Sequence, residues 1–331
     1  MAVSINGTSG LTFNDGTSVG TASSLGMRNR IINGAMAIDQ RNAGASVTPT
    51  SSTYTVDRWT TNLTQASKFS VGQNAGSVTP PSGYTNYLGV TSLSSYSVAS
   101  GDFFALLQNI EGFNVADFGF GAAGASTVTL SFWVRSSLTG TFGGSLTNSA
   151  INRSYPFSYS ISAANTWEQK SVTISGDTSG TWLKDNGVGL RIYFNLGAGS
   201  TYSGTAGAWA AAAYTAPTGA TSVVGTNGAT FYLTGVQLEV GSVATPFERR
   251  LYPQELALCQ RYYQKASGNQ YSSYGATYNY VQWHFKVSMR TSPTLTGTSG
   301  SSGSLTSEFA SLWTAGSAYA SFADATASAE L

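Results

Sequence analysis

Residues 127–137, TVTLSFWVRSS, and 187–197, GVGLRIYFNLG, decide the fold. In the first, Val128, Leu130, Phe132 and Val134 recur at every second position, the period of a strand with one face in a core. Thr129, Ser131, Trp133 and Arg135 then point the other way. In the second, Val188, Leu190, Ile192, Phe194 and Leu196 form the apolar set, and Arg191, Tyr193 and Asn195 the opposite one. A third strand, FYLTGVQLEVG at 231–241, slips phase: Phe231 and Leu233 precede Val236, Leu238 and Val240, which predicts a bulge at Thr234 and Gly235. Closely spaced turn residues separate these runs throughout. The pattern is all-β and predicts a jelly-roll β-sandwich of two sheets.

Outward from these strands the chain divides into four parts. Residues 1–26 hold short alternations, Val3 with Ile5 and Leu11 with Phe13, and a tight-turn signal at Asn14, Asp15 and Gly16. Such a small strand set cannot bury its own apolar face, so residues 1–26 read as an attachment and trimerisation segment. Residues 27–250 carry the sandwich. YPQELALCQRYYQKA at 252–266 reads as a helix, with Pro253 at its start, Leu256, Cys259 and Tyr263 on one face and Gly268 past its end, so 251–269 forms a linker. Residues 270–331 return to strands as a C-terminal β domain. In YNYVQWHFKV at 278–287, Tyr278, Tyr280, Gln282 and His284 share one face, and Asn279, Val281, Trp283, Phe285 and Val287 the other.

Composition narrows the function. The chain has 331 residues, and only 9% are charged, with 16 Lys or Arg against 15 Asp or Glu. A net charge of +1 with scattered cations gives no electrostatic footprint for nucleic acid. The longest apolar tract, AWAAAAY at 208–214, is too short to span a bilayer, so no membrane insertion is expected, and the opening MAVSINGTSG lacks the pattern of a signal peptide. One cysteine, Cys259, permits no intrachain disulfide, and with one histidine, His284, no zinc cluster can form. Folding in a reducing cytoplasm, with no cofactor, is the expectation.

The runs RNRIINGAMAIDQRNAG (28–44), YTVDRW (54–59), SFWVRSS (131–137), TWEQKSVTI (166–174), GVQLEVGSVATPFERR (235–250) and ELALCQRYYQK (255–265) together resemble the tail-fibre and receptor-binding proteins of tailed bacteriophages, particularly those of marine and cyanobacterial hosts. The resemblance covers most of residues 27–266. It implies a trimeric virion protein, assembled in the host cytoplasm, whose jelly roll is similar to the carbohydrate-binding modules attached to glycan-degrading enzymes. It also implies an N-terminal piece held by a neck, adaptor or baseplate protein, and a C-terminal β tip. Those modules hold a structural calcium through an acid after an Asn-Gly pair and aspartates in the last strand. Here Ala35, Met36 and Ala37 follow Asn33 and Gly34, and Thr234 and Gly235 stand in the last strand, so no metal is expected at that place.

A sugar ring presents an apolar C–H face and a rim of hydroxyls, and is bound by aromatic stacking beside planar donors and acceptors. Trp133 with Arg135, and Arg191 with Tyr193 and Asn195, offer that combination on strand faces away from the core. They would line one surface if the two strands shared a sheet, or else pack beneath a loop or against a neighbouring subunit. Tyr271, Tyr274, Tyr278 and Tyr280, with Gln282 and His284, form a second candidate at the tip, with trimer packing as its structural alternative. Catalytic groups are sparse. Asp177 and Asp185 flank the loop DTSGTWLKD, and paired carboxylates are what a glycosidase uses, but loop acids more often cap turns. The leading expectation is therefore a non-enzymatic fibre that adheres to host surface polysaccharide. Its alternatives are a polysaccharide-depolymerising tailspike and a purely structural spacer.

Overall fold

A computed structural model describes residues 27–266, 278–315 and 320–331, preceded by the backbone of β1 (Ser4–Asn6), β2 (Gly10–Thr12) and β3 (Ser18–Val19). These three short strands pair antiparallel in that order. The expected turn at Asn14, Asp15 and Gly16 lies outside the described residues, as do Tyr271, Tyr274 and the side chain of Tyr278.

The sandwich is built from β4 (Trp59–Leu63), β5 (Phe69–Gln73), β6 (Leu88–Ser92), β7 (Phe103–Glu111), β8 (Val128–Ser136), β9 (Gly140–Thr147), β10 (Ser154–Ile161), β11 (Glu168–Ile174), β12 (Val188–Ala198), the two-residue β13 (Ser203–Gly204) and β14 (Ala216–Pro217), and β15 (Thr230–Val240). One sheet runs β10-β9-β12-β7-β4 and the other β11-β8-β15-β6-β5, with every pairing in both sheets antiparallel. The chain passes back and forth between them, as a jelly roll requires. Alternation sets which side chains meet: Val128, Leu130, Phe132 and Val134 of β8 and Leu190, Ile192, Phe194 and Leu196 of β12 are buried in one core, where the Phe132 and Phe194 rings meet edge to face at 5.1 Å. The expected bulge is present. The β8–β15 register shifts between Thr234 and Gln237, and Gly235 adopts φ +60° where a Cβ would stand 2.6 Å from the Tyr84 hydroxyl.

The string 235–250 and the run 28–33 buckle the two ends of the sandwich together. Glu239, buried in β15, accepts hydrogen bonds from Gln237 Nε2 (2.8 Å), Thr245 N (2.9 Å) and Thr245 Oγ1 (2.6 Å). Asn29 Oδ1 accepts from Ile31 N (2.9 Å) and Leu238 N (3.1 Å), Glu248 accepts from Asn29 N (2.5 Å), and Arg250 donates to the carbonyls of Asn29 and Ile31. These bonds lie within one chain and close the sandwich on itself. Phe247 packs edge-on to Tyr84 at 5.4 Å, half-buried outside the core.

Helix α1 (Tyr252–Gln260) is shorter than its expected span. It stops because the next two side chains reach back to buried Glu111 of β7: Arg261 Nη2 lies 2.6 Å from Oε1, and the Tyr262 hydroxyl donates to Oε2 at 2.6 Å. The chain then extends as β16 (Tyr263–Lys265), and continues through β17 (Tyr278–His284), β18 (Thr294–Thr296), β19 (Ser301–Leu305), β20 (Phe309–Ala315) and β21 (Thr326–Ser328). They form two three-stranded sheets, β16-β21-β18 and β17-β20-β19, around a second core of Val281, Trp283, Met289, Leu312, Phe322 and several alanines. Cys259 and Tyr262 join Ile32 and Ile38 in a third, smaller core between α1 and the sandwich.

Charge seals this junction. Glu330 pairs with Arg41 at 2.7 Å and with Arg58, which is 1% exposed, stacks over the Tyr262 ring at 3.5 Å and donates to the Asn109 carbonyl at 2.6 Å. Arg290 ties the same segment down through Ala329 O (2.8 Å) and reaches Asn186 O of the sandwich (2.7 Å). On the far side of α1 a groove of about 740 Å³ runs between Met27, Leu258 and Val287. Among the described residues no helix is long and apolar enough to cross a membrane.

Candidate functional site

The two sandwich candidates lie in different sheets. Trp133 and Arg135 stand on the outer face of the β8 sheet, and Arg191, Tyr193 and Asn195 on the outer face of the β12 sheet, so the core separates them and no common surface forms. Tyr193 is 1% exposed and Asn195 2%. A strap from Ser203 to Pro217 covers them: its β14 end lies across β9, β10 and β12, and it is bonded to the sheet edge through Ala210 N to Ser154 O (2.8 Å) and Gly207 N to Pro156 O (2.8 Å). Gly143 lets the strap approach, since a Cβ there would stand 2.5 Å from Pro217 Cγ. Beneath it Tyr193 packs with Ala105 and Leu107. The Asn195 amide oxygen accepts from Gly197 N at 3.0 Å, stabilising a bulge in β12. Arg191 donates through Nη1 to the carbonyls of Asn148 (2.9 Å) and Ser149 (2.6 Å) of a loop.

Arg135 donates through Nε to Asn165 O at 2.7 Å and sits 5.6 Å from the Tyr232 ring centroid. Tyr232, Tyr87 and Trp167 pack together beside it, with Tyr87 and Tyr232 centroids 5.2 Å apart and Trp167 Nε1 donating to Thr79 O at 2.8 Å. Trp133 is half-buried between its cross-strand neighbours Gln169 and Thr234. Arg135 and the aromatic cluster beside it are thus engaged with one another and with loops on this outer face.

The C-terminal β domain presents a different surface. Val281 and Trp283 of β17 turn into the second core, which leaves Tyr280, Gln282 and His284 on the opposite face, with Tyr280 64% exposed and the other two also exposed. The register brings Trp313 opposite Tyr280, Ser311 opposite Gln282 and Phe309 opposite His284. The His284 and Phe309 rings lie 5.8 Å apart at 35°. Ser311 Oγ is held by Ser304, accepting from its N–H at 2.7 Å, while the Gln282 amide makes no hydrogen bond within the described residues. The face therefore reads, along the strands, as an aromatic pair, an amide–hydroxyl pair and a second aromatic pair. Sequence reading found the β17 half of it. Trp313, Phe309 and Ser311 were missed, although their alternation with Ala310 and Leu312 in FASLW carries the same period of two.

The acids of the loop 177–185 have structural partners. Asp177, 2% exposed, forms a bidentate pair with Arg153, both contacts 2.7 Å, and Asp185 accepts from Gly187 N at 2.8 Å in a turn.

No protein-family model matches the sequence, and no curated protein does. Among solved structures the chain is similar to a putative sugar-binding protein from Bacteroides thetaiotaomicron, 13% identical, covering 64% of this chain and 100% of that one with a TM-score of 0.37. It is similar also to the family 11 carbohydrate-binding module from Clostridium thermocellum, 11% identical, 57% and 91% covered, TM-score 0.29. A third likeness is to the enzymatically active domain of a tailspike protein of bacteriophage CBA120, 12% identical over 65% of this chain, TM-score 0.33; the chain spans only 22% of that domain's length. Likeness at this level is one of fold.

Proposed function

We propose that this chain is the adhesive part of a virion tail fibre, binding host surface polysaccharide at its C-terminal tip without cleaving it. The observation that carries the reading is the outer face of β17 and β20, where exposed Tyr280, Gln282 and His284 lie beside half-buried Trp313, Ser311 and Phe309. Flat aromatic faces beside planar and hydroxyl hydrogen-bonding groups are what sugar rings require. The sandwich candidates are engaged in their own packing and therefore act as scaffold. Asp177 and Asp185, the acids considered for catalysis, hold an ion pair and a turn, which favours adhesion over hydrolysis. Assembly as a trimer, with residues 1–26 seated in a neck, adaptor or baseplate protein, belongs to the same proposal and rests on the sequence resemblance.

The test is adsorption of purified protein to cells of a bacterium the virion infects. Tyr280→Ala is expected to weaken adsorption of the folded protein by about 1 to 3 kcal/mol, because truncating a contact residue removes binding. Tyr193→Ala is expected to do the reverse, lowering stability by about 3 to 5 kcal/mol as buried aromatic truncations do, while adsorption of the folded protein persists. Normal adsorption by Tyr280→Ala, or release of reducing sugar ends from host polysaccharide, would overturn the reading.

A further inference from the structure

We infer that copies of this chain join head to tail at the α1 end of the sandwich, Phe113 of one copy entering the groove beside α1 of the next. The inference rests on the trimer proposed above and adds where its copies touch. Of the eight large apolar side chains exposed among the described residues, six lie at this one end: Met27, Phe113, Val240, Val243, Leu251 and Tyr252. Single exposed apolar residues are ordinary, but a concentration of them marks an interaction surface.

The inserting group is held rigidly. Two short helical turns, Gly112–Asn114 and Ala116–Phe118, follow β7. Val115 and Phe118 anchor them in the core, and Gly112 N and Phe113 N donate to the carbonyls of Gly187 and Asp185, both at 2.9 Å. These anchors leave Phe113 outside, 61% exposed, with exposed Asp117 four residues on. Asp117 gives Oδ2 to Arg30 of its own chain at 2.6 Å, while Oδ1 accepts no hydrogen bond within the described residues.

The groove answers both groups. Its volume of about 740 Å³, walled by Met27, Ala257, Leu258 and Val287, has room for an aromatic side chain and the turn that carries it. Of its three arginines, Arg250 pairs with Glu248 and Glu255, and Arg261 with Glu111. Arg249 lies over the Tyr84 ring at 4.9 Å and has no carboxylate partner among the described residues. An incoming Asp117 supplies one. Glu111, two residues before Phe113, bonds Arg261 in the groove wall, which sets the aromatic residue and the groove at one level of the molecule. They are different patches of one chain, so the contact is heterologous, and in a closed ring every copy uses both.

The experiment is sedimentation of the full chain and its variants over a concentration series. The unaltered chain should associate. Phe113→Ala and Ala257→Trp should each raise the dissociation constant tenfold or more, with the circular dichroism of the folded protein unchanged. Asp117→Arg and Arg249→Asp should each weaken association and, combined in one chain, restore it. A mixture of Phe113→Ala and Ala257→Trp copies keeps one intact Phe113 facing one intact groove, so it should form pairs that neither variant forms alone. Association of Phe113→Ala at full strength, or a charge swap that restores nothing, would overturn the inference and leave the trimer to other contacts. A chain that stays monomeric at every concentration would sink the inference and the trimer together.

Discussion

Asp57 is fully buried beside Arg58, and burial pushes its carboxyl up from 3.8 to about 7, against the opposing pull of hydrogen bonds from Gln40 Nε2 (2.5 Å) and Gln40 N (3.3 Å) and of nearby Arg41. Glu330 adds to the rise, and Cys259 lies in the same surroundings. Between these two values the folded chain keeps a proton that the unfolded chain has released, so this residue makes stability fall as pH climbs from about 4 to about 7, then level. Asp57→Asn should remove that slope: melting temperatures of the two proteins from pH 4 to 8 should diverge in favour of the variant as pH rises, and parallel curves would refute the assignment. The sequence marks Asp57 only as part of YTVDRW. Tyr193 and Asn195 follow the packed alternative that the sequence left open, for a related reason: alternation tells which residues share a face, but not whether that face meets water. The strap that covers them is an alanine-rich stretch with no strand period of its own, so nothing in it announces a third layer.

At the scale of elements, β15 shows how a phase slip becomes structure. The bulge at Gly235 keeps Phe231 and Leu233 on one side of the slip and Val236 and Leu238 on the other all within the core. Gly235→Ala would place a side chain at φ +60° against the Tyr84 hydroxyl, and is expected to cost about 1 to 3 kcal/mol. Thermal unfolding measures it, and an unchanged midpoint would mean that β15 can re-register without loss. This slip was legible because five apolar residues had to be reconciled with one face, of which the last, Val240, is exposed at the strand end. The end of α1 was not. RYYQK continues the helical spacing, and only the distant Glu111 draws Arg261 and Tyr262 out of it. A tertiary partner 150 residues away outweighed local propensity there.

On the scale of the whole molecule, three cores meet around Glu330, Arg58 and Tyr262. Glu330→Gln would leave the buried Arg58 guanidinium without its counter-charge, and removing one member of such a pair typically costs about 3 to 5 kcal/mol. Calorimetry should then show the tip melting ahead of the sandwich. A single transition at the original temperature would show that apolar contacts alone join the two. No sequence pattern links a glutamate in SAEL to an arginine in YTVDRW, because ion pairs leave no periodicity. The buckle between residues 28–33 and 235–250 has a mechanical meaning. The chain enters at Met27 and reaches the tip past α1, with Met27 and Val287 on the same groove, while the sandwich is an excursion whose two ends are fastened to each other. If the chain tethers a virion as proposed, tension between residues 1–26 and the C-terminal β domain would pass through this fastening and bypass the ten strands of the sandwich. The jelly roll would then hang beside the load path like a bead on a loop, its sheets sheared only after the buckle had opened.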